Sequence, residues 1–427
     1  MGTVSRDTDS ARCGSFHYGW VVLAAGIAVM FACLGIGRFA IGMLLPSMGQ
    51  ALGLSYAQMG LISTANFAGY MASVLFAGTV AGRLGPRLVI SLGLLAVGVS
   101  MALAGSAGGV LTVLVPYVIT GIGSGLANVP MMGLVTAWFA RQWRGRAAGF
   151  MLVGNGLGIV CSGLLIPQLN LQLGAGGWRA AWLVLGIVAV VISIGAGLLL
   201  KNDPQSLGCR PMGAVKERAG GGEKSFPATT KKEVRSRELI RLGIVYFLFG
   251  SSYAVYVTFI VTALVNERGF AEQTAGHFWS VVGVLSLFSG PLAGWISDKF
   301  GRRLALIIVF AQFTASYLLA LAFLPLGCLY LSIALFGLSL WGIPTIMTAA
   351  VGDLAGPARA ASLFGFITVF FGGGQIVGPA VAGWLAESTG RFSAAFLMCA
   401  SLAAVALIVA AFLRIPPAVS TRDQPRC

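Results

Sequence analysis

Charge is scarce in this chain. Only 10% of its 427 residues are Asp, Glu, Lys or Arg, against about 25% in an ordinary soluble domain, while 57% are hydrophobic. A water-soluble core does not use that much apolar sequence, so the excess faces lipid. Acids are scarcest of all: the thirteen Asp and Glu sit in termini, loops or the ends of apolar runs, and none falls in the middle of one. The seven cysteines are scattered without CxxC or Cys/His spacing, which points to neither a zinc site nor a disulfide framework. No phosphate-binding glycine loop follows a strand and no nucleophile elbow appears; the glycines of 121–125 lie inside an apolar run and read as helix packing. Enzyme chemistry has nothing to stand on here, and neither cofactor nor metal is expected.

What is present is long apolar runs. Twelve of them, near 18–44, 56–81, 88–106, 109–138, 147–166, 179–200, 241–264, 274–297, 304–323, 327–350, 360–385 and 392–413, are long enough to cross a bilayer as helices. They are continuously apolar and rich in Gly and Ala, so the alternation of barrel strands is excluded. Sixty glycines suit close packing between membrane helices. The first run far exceeds a signal-peptide core, and no cleavage is expected.

The formal net charge of +15 might suggest nucleic acid, but its placement does not. With twelve spans, 24 of the 28 Lys and Arg fall in the termini and in loops on one face. Arg179, Arg268 and Arg391 fall on the other face, and Arg38 lies within a span. That asymmetry places both termini in the cytoplasm. The partners expected are a lipid bilayer and a small anionic solute, with no nucleic acid, for a protein working as a monomer.

Residues 201–240 break the hydropathy pattern at mid-chain and read as a flexible cytoplasmic linker. They divide the chain into a tail (1–17), a six-helix bundle (18–200), the linker, a second bundle (241–414) and a tail (415–427). The halves resemble each other. "GTVAGRLGPR" (78–87) matches "GWISDKFGRR" (294–303) at an offset of 216, which also carries Gly53 onto Gly269 and Gly60 onto Gly276. Such duplication is expected of a transporter with its substrate site near the midplane, between the halves.

The element Gly294, Asp298, Gly301, Arg302, Arg303, with its copy Gly78, Arg83, Gly85, Arg87, resembles the signature of the major facilitator superfamily. Gly82 replaces the acid in the first copy. The glycine–proline run "GGGQIVGPAVAG" (372–383) is similar to the superfamily's eleventh helix. The resemblance implies twelve transmembrane helices in two pseudo-symmetric bundles, alternating access, and a cavity lined by helices 1, 4, 7 and 10. "GIGRFAIGMLLPSM" (35–48) resembles the bacterial YbfB/YjiJ-type transporters. "YGWVVLAAGI" (18–27), "GGWRAAW" (176–182) and "KNDPQSLGCRP" (201–211) resemble the monocarboxylate and oxalate/formate branch. That branch has an arginine before the proline of helix 8, where this chain has Gly290 before Pro291.

Arg38 is the residue that asks for an explanation. It sits ~9 Å from the centre of the first span, where a lipid-facing arginine costs about 2.5–3.5 kcal/mol. It could snorkel to the headgroups or face the cavity and hold an anion bidentately. No acid lies at its depth, so a substrate anion would supply the missing charge. Candidate helpers are Asn66 and Tyr70, four apart on one face, with Tyr117, Asn128, Tyr253, Tyr256, Trp341 and Gln375. Each has interhelical packing as its plainer alternative.

For gating, the signature residues point to a charge lock in which Asp298 pairs with Arg359 and Asp353 with Arg302 or Arg303. Proton coupling would ride on the substrate, on His277 or on Glu267; anion exchange needs none of them. The expectation is a monocarboxylate-type anion transporter working by symport or exchange. The alternatives are efflux of apolar compounds and, more remotely, a non-transporting receptor.

Overall fold

The computed structural model describes residues 17–213, 236–321, 323–356 and 359–413. Both terminal tails and the linker beyond residue 213 lie outside these residues, Ser236–Ile240 excepted. All regular structure described is helical: α1 (Gly19–Leu52), α2 (Tyr56–Leu84), α3 (Pro86–Gly105), α4 (Val110–Trp138), α5 (Arg141–Leu173), α6 (Gly177–Leu199), α7 (Ser236–Asn266), α8 (Glu272–Phe300), α9 (Arg302–Leu319), α10 (Leu326–Ala355), α11 (Ala360–Thr389) and α12 (Ser393–Ala411). Among the described residues, eleven helical stretches are long and apolar enough to cross a membrane. One of them, Gln142–Leu199, divides into α5 and α6 at a short turn, where Gly174 has a φ of 57°.

Helix ends follow local chemistry. Ser55 caps α2 in a reciprocal box: its hydroxyl accepts the Gln58 N–H at 3.3 Å, and Gln58 Oε1 accepts the Ser55 N–H at 3.0 Å. The duplicated signature is a duplicated turn. Gly85 and Gly301, 216 apart, have φ of 85° and 89° and start α3 and α9, a conformation that a Cβ would strain.

Two helices are irregular. α1 widens into a π-type turn over Phe31–Ile36 and breaks again at Ala40. Donors on α4 bond carbonyls there: Ser124 Oγ reaches the Cys33 oxygen at 2.6 Å, and the Tyr117 hydroxyl the Arg38 oxygen at 3.1 Å. α10 breaks between Ser339 and Gly342, just before Pro344, which has no N–H to give the preceding turn.

Helices α1–α6 pack chiefly on one another, as do α7–α12; the seams between the sequence halves are α2 with α11, α5 with α8, and α1 with α7. The first two seams exchange under the 216 offset. A Cβ on Gly60 would lie 2.4 Å from the Pro379 oxygen, and one on Gly276 2.2 Å from the Gly163 oxygen, so only glycine permits either approach. We call the end bearing residues 200–213 the linker end, and the opposite one the far end. The tight crossings lie in the middle and toward the far end. Toward the linker end the same helices separate, and beside Gly78, Gly82, Gly145, Gly149 and Gly365 nothing lies within 4 Å of where a Cβ would be. The halves therefore close at the far end and part toward the linker end.

Linker residues 201–213 are held against the first half. Met212 exchanges backbone hydrogen bonds with the α4–α5 turn, donating to the Trp138 oxygen at 2.8 Å and accepting from Ala140 at 2.9 Å. Trp138 Nε1 donates to the Lys201 oxygen at 2.9 Å. Cys33, Cys161, Cys328 and Cys399 are free.

Candidate functional site

Arg38 lies just past the π-type turn and is 6% exposed. Its guanidinium carbon sits 4.0 Å from the centre of the Tyr70 ring and 4.9 Å from that of Phe67, both on α2. Its Nε and Nη2 have no hydrogen-bond partner, and none of the ion pairs among the described residues includes it. Its charge also reaches the hydroxyls of Tyr117 and Tyr253. A desolvated cation–π contact contributes about 2 kcal/mol, whereas removing an ion from water costs several kcal/mol. The aromatic face alone leaves the charge under-compensated.

Most of the expected helpers gather here. The Tyr70 hydroxyl accepts from Asn128 Nδ2 at 2.7 Å, and the Tyr253 hydroxyl from Gln375 Nε2 at 2.7 Å. With their oxygens occupied as acceptors, both phenols keep an O–H to give. Asn66 Nδ2 donates to the Tyr117 backbone carbonyl at 3.1 Å, while its own Oδ1 is buried without a partner. Trp341, at the break in α10, meets the ring of Phe39 edge-on at 5.8 Å, next to Arg38 in the chain. Tyr256 points elsewhere: its hydroxyl bonds Ser332 at 2.9 Å and its ring stacks on Phe336 at 3.9 Å. Phe67 and Phe371 were not singled out in the sequence. Phe67 stands three residues before Tyr70, so helical spacing alone could have placed it under the same cation; Phe371 stacks on Tyr253.

At the linker end, Arg302 gathers the second signature copy. Its Nε donates to Asp353 Oδ2 at 2.7 Å, and its Nη1 to Ser297 Oγ at 2.8 Å and to Asp298. Asp298 thus pairs with Arg302, four residues on across the Gly301 turn, and Gly294 stands beside Thr345. Arg303 and Arg359 are exposed. In the first copy, Arg87 Nε donates to the Gly197 oxygen at 2.6 Å and its backbone N–H to Asn202 Oδ1 at 2.9 Å, tying α3 to the start of the linker; Gly78 and Arg83 are exposed.

His277 is exposed on α8. Glu267, in the turn after α7, accepts the Phe392 N–H, and burial pushes its carboxyl above the usual carboxylate range.

The model of the family described as uncharacterised MFS-type transporter YbfB matches residues 30–413. The chain belongs to that family. It is a multi-pass membrane transporter and not an enzyme. It is 26% identical to the "Probable sulfoacetate transporter SauU" of Cupriavidus necator, over 93% of this chain and 94% of that protein. It is 28% identical to mouse (Mus musculus) monocarboxylate transporter 11, over 90% of this chain and 85% of that one. Among solved structures, a bacterial homolog of the human lysosomal transporter Spinster, inward-facing and unoccupied, superposes with a TM-score of 0.70 at 17% identity, over 93% of this chain and 96% of that one. The MFS fold is shared across that distance.

Proposed function

We propose that the protein is a secondary transporter that seats the charged group of a small organic anion, most plainly a carboxylate, on Arg38. Its helices cross a bacterial inner membrane twelve times as two six-helix bundles, with both termini and the linker in the cytoplasm. It works as a monomer by alternating access, through proton symport or anion exchange. The observation that carries this reading is Arg38 itself: a permanent cation, buried, with its Nε and Nη2 unpartnered and no ion pair to it among the described residues. Arginine's planar fork suits a carboxylate, and the O–H groups of Tyr70 and Tyr253 can serve a second oxygen. The sulfoacetate and monocarboxylate named for its relatives are both carboxylate anions.

In this conformation the halves part toward the linker end, which is the cytoplasmic side in this reading. The Asp353–Arg302–Asp298 cluster lies at that mouth, within the second half, ready to be rearranged when the mouth closes. The test is uptake of labelled carboxylates into liposomes by the wild type and by Arg38→Gln. Saturable uptake that the variant loses is the expected result; normal uptake by the variant would overturn the reading.

A further inference from the structure

A wall of parallel rings runs from Arg38 toward the linker end. On α7, Tyr246, Phe249 and Tyr253 recur at helical spacing, and Phe371 of α11 packs against all three. Its ring centre lies 4.5 Å from that of Tyr246, 5.6 Å from that of Phe249 and 5.8 Å from that of Tyr253, with the planes 13° to 17° apart. Phe249 in turn stacks on Tyr253 at 5.0 Å, and its plane is 5° from that of Tyr246. Tyr253 brings the wall to the site, because its hydroxyl accepts from Gln375 and lies within reach of the Arg38 charge. Seven residues earlier, Tyr246 stands ~10 Å nearer the linker end at 1.5 Å per residue. There Phe364 leans against it at 6.3 Å. Phe364 and Phe371 are only half-buried, and nothing lies within 4 Å of where a Cβ on Gly365 would be. The rings therefore join the cation to the gap between the halves.

Charge along this path is limited to one cation. Among the described residues, Arg38 and Glu238 are the only charged side chains that are buried, and Glu238 pairs with Arg241 at the start of α7. Arg38 can balance one negative charge. A second would lie among ring faces, which are themselves negative, and an unpaired charge taken from water is costly. A body rich in hydroxyls is served poorly too, since Asn128 and Gln375 each give an N–H to a phenol.

We propose that the substrate is an aromatic monocarboxylate, its carboxylate on Arg38 and its ring against the Tyr253–Phe371–Tyr246 wall. This rests on the anion reading above and narrows it to a class. A flat ring adds one more offset layer to a row that is already parallel. A saturated ring of the same size buries similar apolar area without that match, and a short aliphatic acid leaves the wall unused.

The test measures initial uptake by the full chain in liposomes at about pH 7.5, where every carboxyl used is ionised. Labelled benzoate is compared with cyclohexanecarboxylate, its saturated counterpart, and with acetate. The KM for benzoate is expected to be about fivefold below that for cyclohexanecarboxylate, and lower still against acetate. Terephthalate and 4-nitrobenzoate, alike in shape but different by one charge, read the charge limit: terephthalate should bind about tenfold more weakly or worse. In Phe371→Leu the preference for benzoate over cyclohexanecarboxylate should fall to about one, whereas Phe371→Tyr, which keeps the ring, should retain it. Equal KM for the flat and saturated acids overturns the proposal, and so does terephthalate carried as well as 4-nitrobenzoate. If Phe371→Leu does not elute as folded protein, the wild-type panel decides by itself. Uptake that depends on Arg38 but ignores the ring defeats this proposal alone. No carboxylate uptake, or uptake unchanged in Arg38→Gln, defeats the anion reading and this proposal with it.

Discussion

The guanidinium of Arg38 lies 4.0 Å from the centre of the Tyr70 ring, and the Tyr70 hydroxyl accepts from Asn128 at 2.7 Å. One side chain thus gives the cation a π face and holds a polar group ready beside it. The two roles separate on mutation. Tyr70→Phe keeps the ring and loses one hydrogen bond of about 1 kcal/mol, a roughly fivefold rise in KM. Tyr70→Leu also loses a cation–π contact of about 2 kcal/mol, a further ~30-fold. Initial uptake rates in liposomes give both numbers, and equal effects would show that the ring contributes nothing.

At Arg38 itself, lysine is not a conservative change. Arg38→Lys keeps a charge but loses the planar fork, so KM for a carboxylate should rise about tenfold, or about 1.4 kcal/mol. The loss for Arg38→Gln should be larger. If lysine matches arginine, a point charge suffices and bidentate binding is wrong.

The two acids on Arg302 should differ in their worth to stability. The Arg302 and Asp353 side chains are 11% and 23% exposed, whereas Asp298 is 73% exposed. Asp353→Asn breaks a largely buried, charge-assisted bond and should cost about 1–3 kcal/mol. Asp298→Asn should cost under about 1 kcal/mol. Melting temperatures in detergent test that order, and flux into liposomes tests the gating role of both.

Gly276→Ala and Gly60→Ala each put a methyl group against a backbone carbonyl across a seam. Both should assemble and elute as folded protein but resist closing at the far end. Turnover in liposomes should fall about tenfold or more. Unchanged turnover would mean that the seams have slack.

Glu267 gives a pH dependence with a definite sign. Burial raises its carboxyl above the ordinary range, outweighing the Phe392 N–H that favours the ionised form. The folded protein therefore holds this proton more tightly than the unfolded chain, and stability falls as pH rises through the window just above the ordinary carboxylate value. Glu267→Gln should flatten that slope in thermal denaturation measured from pH 4 to 7. An unchanged slope would assign it to another group.

Much of this was legible in the sequence. The long apolar runs mark the membrane-length helices, and the 216 offset anticipates the paired turns at Gly85 and Gly301. Arg38 stood out because a charge inside an apolar run has few explanations. Tyr70 and Asn128 were both candidates, but their bond to each other joins residues 58 apart on different helices and leaves no local signal. Tyr256 carries the same phenol as Tyr253, three residues earlier, and only packing against Ser332 and Phe336 tells them apart. Phe67 was hidden for the opposite reason: one aromatic in an apolar run looks like any other. The π-type turn of α1 contains no proline, and periodicity continues through it, so only coordinates reveal it. Residues 201–213 read as a free tether because the carbonyls and N–H groups that pin them belong to a distant turn.

The edge-on contact of Phe39 with Trp341 joins the two places where α1 and α10 lose regular winding. A regular helix behaves as a rod and carries a push from end to end. One missing a rung bends there first, because fewer hydrogen bonds resist it. The proposed anion site thus adjoins the softest joint of each helix, one from either half of the chain. Little force is needed at a joint, so in the proposed cycle an anion of a few atoms would have the leverage to reorient helices far longer than itself.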